Sequence, residues 1–145
     1  MTARMRERLY PYLCGAAAFG VVLFLKENSY TISYSENMLS AVISLGGIFA
    51  GFLATIKTLL LTISSDVKDR LTVSGYMKDL LAYLREGIYG SLILCVVAML
   101  GFSGAMRWPD YHAAVLYGAL LFSVAALYRI SRISISLLTW RSPQE

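Results

Sequence analysis

The chain has 145 residues, 57% of them hydrophobic and only 15% charged. That is too little polar surface for a water-soluble globule of this size, so the composition points to an integral membrane protein. Residues 9–25, 38–57, 87–106 and 111–129 are apolar stretches that approach or reach the roughly 20 residues a helix needs to cross a bilayer. The expected fold is all-α: a single four-helix membrane bundle whose helices extend into the cytoplasm.

In the first stretch, Arg4, Arg6 and Arg8 precede an apolar run containing Ala16, Ala17 and Ala18, the layout of a secretory signal. The run is long for a signal core and ends at Lys26-Glu27 without a small-residue cleavage site, so an uncleaved first helix is expected. Tyr10 and Tyr12 fall at headgroup level, with Pro11 in the first turn, where an amide has no intrahelical partner anyway. Cys14 and Cys95 lie inside spans and read as buried thiols, not as a disulfide. The polar connection that follows holds Tyr30 and Tyr34, which suit an aromatic belt, and Ser35 or Asn37 offers an N-cap for the second helix.

The second helix carries the most distinctive pattern. Ser40, Ser44, Gly47, Gly51, Ala54, Thr58, Thr62 and Ser65 recur at spacings of three and four and so share one helical face. Leu39, Ile43, Phe49, Phe52, Ile56 and Leu60 occupy much of the remainder. A small-residue stripe centred on Gly47-x-x-x-Gly51 is the pattern of membrane helices whose backbones approach closely, so the other helices are expected to assemble around it. The same stripe would line a pore if copies assembled with it facing inward. Lys57 lies about 30 Å along the helix from Asn37 and marks the membrane boundary. Beyond it the helical pattern continues, and residues 58–86 read as a cytoplasmic helical hairpin. Its returning arm carries Leu80, Leu81 and Leu84 on one side and Lys78, Asp79, Arg85 and Glu86 largely on others.

In the third helix, Gly87, Ser91, Cys95, Ala98, Gly101 and Ala105 form a second small-residue seam, which makes it the natural partner of the second helix. Trp108, Pro109, Asp110 and Tyr111 predict a tight external turn, with Trp108 and Tyr111 at the membrane boundary. The fourth helix runs past Arg129. Residues 130–141 carry an apolar stripe of Ile130, Ile133 and Leu137 beside Arg132 and Ser136. This segment either joins the cytoplasmic bundle or lies on the membrane, anchored by Trp140.

Charge placement sets orientation. Of the 13 Lys and Arg residues, all but Lys26 and Arg107 fall on one side of the predicted spans, which by the positive-inside rule places both termini and the central connection in the cytoplasm. The expected location is the bacterial inner membrane. Anionic lipid headgroups are expected partners on that side, at about 1 kcal/mol per cation. Lys68, Arg70, Lys78, Arg85, Arg129 and Arg132 are candidates for docking a cytosolic effector protein. Direct nucleic-acid binding is not expected, because acidic residues interrupt the basic ones. His112, the lone histidine, reads as an interfacial residue. No carboxylate falls inside a predicted span, and no catalytic constellation, metal-ligand cluster or phosphate-binding loop is visible, so neither enzymatic activity nor a cofactor is expected. Two small-residue seams exceed what one four-helix core requires, which predicts a homo-oligomer, specifically a tetramer.

Leu39-x-Ala41-x-x-Ser44, the Gly/Ala-rich span after it, and Gly75-Tyr76-Met77 beyond a charged connection resemble RexB, the phage-lambda exclusion protein. In size and four-span plan the chain is also similar to KwaA, the membrane subunit of the Kiwa anti-phage system. The likeness covers mainly residues 35–104. It implies a non-enzymatic part in membrane-linked defence against phage. In the RexB-like case that part is a depolarising ion channel, and in the Kiwa-like case a sensor working with a cytosolic partner.

Overall fold

A computed structural model describes residues 3–28, 34–62, 76–102 and 109–139, and all of its regular structure is helical. The helices are α1 (Ala3–Glu27), α2 (Glu36–Thr62), α3 (Tyr76–Phe102) and α4 (Pro109–Thr139). Each contains a segment long and apolar enough to cross a membrane. The longest, α4, has 31 residues and extends for about 46 Å. Large apolar side chains including Leu13, Phe24, Ile48, Ile93 and Met99 are exposed on the outside of the bundle, as lipid-facing side chains are.

The helix ends follow local chemistry. Ser35 caps α2, its Oγ accepting a hydrogen bond from the Met38 amide at 3.3 Å, which supplies a partner for one otherwise unpaired first-turn N–H. At the end of α1 the Asn28 side chain donates to the Phe24 carbonyl at 3.0 Å. Two expected boundaries change. Pro109 and Asp110 do not form a turn but open α4, where a first-turn proline is tolerated because it has no amide to lose. Pro11 lies inside α1, since that helix begins at Ala3. The final segment neither breaks nor starts anew, because α4 continues as one helix to Thr139. Trp108, Ser65, Lys68, Arg70, Ala105, Trp140 and the turn of the predicted hairpin lie outside the described residues.

Packing proceeds in two antiparallel pairs. Among the described helices α1 packs on α4 alone, α2 packs mainly on α3 and touches α4, and the α3–α4 contact joins the pairs. Between helices in lipid, leaving the lipid tails gains little, so close van der Waals approach carries the association. Glycines provide that approach. A Cβ on Gly15 would meet the Gly118 carbonyl at 3.1 Å, and one on Gly118 would meet the Gly15 carbonyl at 3.2 Å, so α1 and α4 cross backbone to backbone. In the other pair, a Cβ on Gly46 would lie 2.6 Å from Cys95 Sγ and 3.1 Å from the Ser91 carbonyl.

The core has two centres. Leu39, Val42, Leu94, Ala98 and Leu116 fill the end near His112. Leu53, Leu80, Tyr83, Leu84 and Ile130 fill the end near Lys57, with Ile56, Leu60 and Ile133 packed against them. The second centre draws on residues that both precede Gly87 and follow Arg129, so the helical extensions contribute apolar side chains to the core, while Leu59 and Leu61 beyond Lys57 stay exposed.

Candidate functional site

Two features concentrate the unusual chemistry: the polar cluster at the Lys57 end, and the outer face of α2. The first is built around Arg129, which follows helically from Ala125, Ala126 and Ile130 on the buried side of α4. Its guanidinium donates from Nη2 to Glu86 Oε2 at 3.3 Å. It also stacks over the Tyr83 ring, 4.0 Å from the centroid. The side chains of Arg129 and Glu86 are 5% and 19% exposed, so this is a buried pair tying α3 to α4. Gly87 faces Leu53, one turn before Lys57, which places Glu86 within about 5 Å of the Lys57 level along the bundle axis. A buried pair brings little net stability, yet losing either partner removes an opposite charge from a low-dielectric site.

Arg129 is therefore not available to dock a partner, contrary to the expectation from charge placement. Lys78, Arg85 and Arg132 are exposed, and Lys57 is half-buried. Lys78 and Arg85 are seven residues apart and share one face of α3. Tyr111, at the opposite end, is exposed, with Lys26 Nζ 4.1 Å from its ring centroid.

The seam of α2 falls on the opposite side from the one expected. Ser40, Ser44, Gly47, Gly51, Ala54, Thr58 and Thr62 are all exposed, and a Cβ on Gly47 or Gly51 would meet nothing within 4 Å. The other helices do not assemble around it. The packed face is instead Leu39, Val42, Gly46 and Leu53. Hydroxyl donors on the outer face are satisfied within the helix: Ser44 donates to the Ser40 carbonyl at 3.0 Å, Thr55 to that of Gly51 at 2.9 Å and Thr58 to that of Ala54 at 3.0 Å. The third-helix seam behaves as expected, with Gly87, Ser91 and Ala98 buried.

Sequence reasoning missed three sites. Gly46 was overshadowed by the Gly47-x-x-x-Gly51 spacing. The Gly15–Gly118 crossing had one visible signal, Ala114-x-x-x-Gly118 on a single face of α4. His112, read from the sequence only as a boundary residue, is buried at 5% exposure, with Nε2 2.8 Å from the Val97 carbonyl. Among the described residues, no three His, Cys, Asp or Glu side chains converge as metal ligands. Comparison with protein-family models, curated proteins and solved structures finds no match for this chain.

Proposed function

We propose that this chain is a non-enzymatic inner-membrane subunit of a bacterial anti-phage system, a sensor and scaffold that holds a cytosolic effector and reports disturbance of the envelope to it. Both termini are cytoplasmic in this reading, which puts the Lys57 end inside the cell. The observation that carries it is the core at that end: the bundle continues beyond Lys57, closes over the Arg129–Glu86 pair, and leaves Lys78, Arg85 and Arg132 exposed around it. This end of the bundle offers exposed cations together with exposed apolar side chains such as Leu59 and Leu61, which suits a partner with an acidic face. The resemblance to the Kiwa membrane subunit supplies the biological setting.

A second reading has its own observation. The small-residue face of α2 is exposed from Ser40 to Thr62, and a Cβ on its Gly47 or Gly51 would meet nothing within 4 Å among the described residues, so copies that met through it would place hydroxyls and glycines along a shared axis, as a RexB-like channel requires. A paired experiment separates the two: conductance of the purified protein in liposomes, and identification of what co-purifies from membranes before and after phage challenge. Silent liposomes and a stoichiometric soluble companion are expected. Selective conductance without any companion would replace the scaffold by the channel. Orientation is tested by cysteine labelling, with Ser29→Cys and Asp110→Cys reacting from outside the cell and Ser74→Cys from inside.

A further inference from the structure

Among the described residues α1 packs against α4 and against neither α2 nor α3, and a groove of about 620 Å³ runs along the seam of that pair. α1 lines it with Cys14, Ala18 and Val22, spaced by four residues on one face, and α4 lines it with Tyr117 and Leu121. Tyr117 shows which side the groove takes, because its hydroxyl reaches Met38 Sδ of α2 at 3.5 Å. The groove therefore lies in the gap between α1 and α2, with α4 as its floor. Its α1 wall falls within the stretch of that helix long and apolar enough to cross a membrane. At that depth no water is at hand, and an empty recess would forfeit the van der Waals contacts of its lining. Something apolar fills it.

We propose that the groove is a site for an anionic glycerophospholipid, with one acyl chain lying along it and the phosphate drawn to Lys26. Lys26 stands one turn beyond Val22 on the same face of α1, at the end of the apolar span. Its Nζ is 4.1 Å from the Tyr111 ring centroid, which sets a cation and an aromatic ring together at headgroup level. From Lys26 to Cys14 is about 18 Å along the helix axis. One leaflet of hydrocarbon is about 15 Å deep, half of the bilayer core, so the cation and the groove below it match a lipid of one leaflet. A spanning helix would need a seat about twice as long. Width points the same way: 620 Å³ spread over the roughly 12 Å from Cys14 to Val22 gives a section of about 50 Å², whereas a helix with its side chains fills about 80–110 Å². Hydrocarbon in the groove touches two helices and the Tyr117 ring, so it exchanges more slowly than lipid on the convex faces of the bundle. The assignment holds for either orientation of the chain and whether or not an effector is bound.

The test places the full chain in nanodiscs doped with phosphatidylglycerol or phosphatidylcholine carrying a photoactivatable diazirine on one acyl chain, and maps the adducts by peptide mass spectrometry. Adducts are expected on residues 14–22 and 117–121 in excess over apolar positions exposed elsewhere, such as Ile48 and Ile93. One cation near the surface is worth roughly fivefold to an anionic lipid, so phosphatidylglycerol should label the groove more than phosphatidylcholine by that factor. Lys26→Gln should remove the difference while labelling persists. Ala17→Leu, an exposed position that lines the groove, should cut groove labelling several-fold and leave Ile48 and Ile93 unchanged. Adducts spread evenly over all exposed apolar faces, equal labelling by the two lipids, or groove labelling indifferent to Ala17→Leu would each overturn the site. Cross-links between copies through Cys14 would assign the groove to a second chain and overturn it too. Should Ala17→Leu fail to fold, the distribution of adducts on the unaltered chain still decides.

Discussion

Two adjacent glycines on α2 provide a sharp test of the packing, because they differ by about 100° around the helix. At Gly46 an added methyl would sit 2.6 Å from Cys95 Sγ and 3.1 Å from the Ser91 carbonyl; at Gly47 it would meet open space. Relieving the sulfur contact requires a shift of about 1 Å to reach an ordinary separation. Overpacking of this kind costs about 1–3 kcal/mol. Replacing helical glycine by alanine returns about 1 kcal/mol through helix propensity. Gly46→Ala should therefore destabilise the monomeric bundle by about 1 kcal/mol net, and Gly47→Ala should stabilise it by up to about 1 kcal/mol. Adding Cys95→Ala to Gly46→Ala removes the nearest clashing atom and should recover much of the loss. The measurement is reversible unfolding in micelles at a dilution where the protein is monomeric. A neutral Gly46→Ala beside a damaging Gly47→Ala would mean that α2 is rotated relative to the arrangement described above.

Gly47→Leu should leave monomer unfolding nearly unchanged, since the site is open, yet weaken self-association measured by cross-linking in membranes; a chain that is monomeric before the change removes the oligomer claim. Glu86→Gln replaces the carboxylate that accepts from Arg129 and should destabilise the bundle, and adding Arg129→Met should restore most of the loss; additive losses in that double variant, read by the same unfolding assay, would show that the pair is not coupled. Ser35→Ala removes the hydroxyl that caps α2 and should lower stability by about 1 kcal/mol, with faster hydrogen exchange confined to the first turn of α2; a uniform change along the helix would contradict the cap.

The limits of reading this sequence lie in what periodicity can encode. Four membrane-length helices follow from apolar run length alone, and the third-helix seam is legible because Gly87, Ser91 and Ala98 share one face and that face is buried. The same reasoning misplaced the α2 seam. Small residues at spacings of three and four define a face, but nothing in one helix says whether its neighbour is in the same chain. Gly46, the glycine that α3 approaches, pairs at a spacing of four only with Ala50, one short step that the longer run through Gly47 and Gly51 outweighs. Polar pairing is hidden for a different reason. Arg129 counts as one more cation under a topology rule, and its satisfaction by Glu86, 43 residues away, appears only once α3 and α4 are set side by side. His112 likewise finds its acceptor in a carbonyl that no side-chain pattern reveals.

Removing Arg129 from the docking surface sharpens the functional prediction, because it leaves Lys78, Arg85 and Arg132 as the exposed cations described near the Lys57 end. Exposed charges at a rim act mainly on association rate and are screened within about 10 Å at moderate salt. Charge reversal at all three positions should then reduce recovery of an acidic cytosolic partner by roughly tenfold or more, with the difference shrinking as salt rises. Bundle stability should barely change, since surface ion pairs are worth at most about 1 kcal/mol each. Anionic headgroups would be drawn to the same cations, so the reversed variant is also compared with the parent for the lipids it retains on extraction. Loss of lipid with full retention of the companion would move these residues from partner docking to membrane anchoring. Loss of the companion through Glu86→Gln alone, with all three cations intact, would place recognition in the packing of the bundle end instead of its charge.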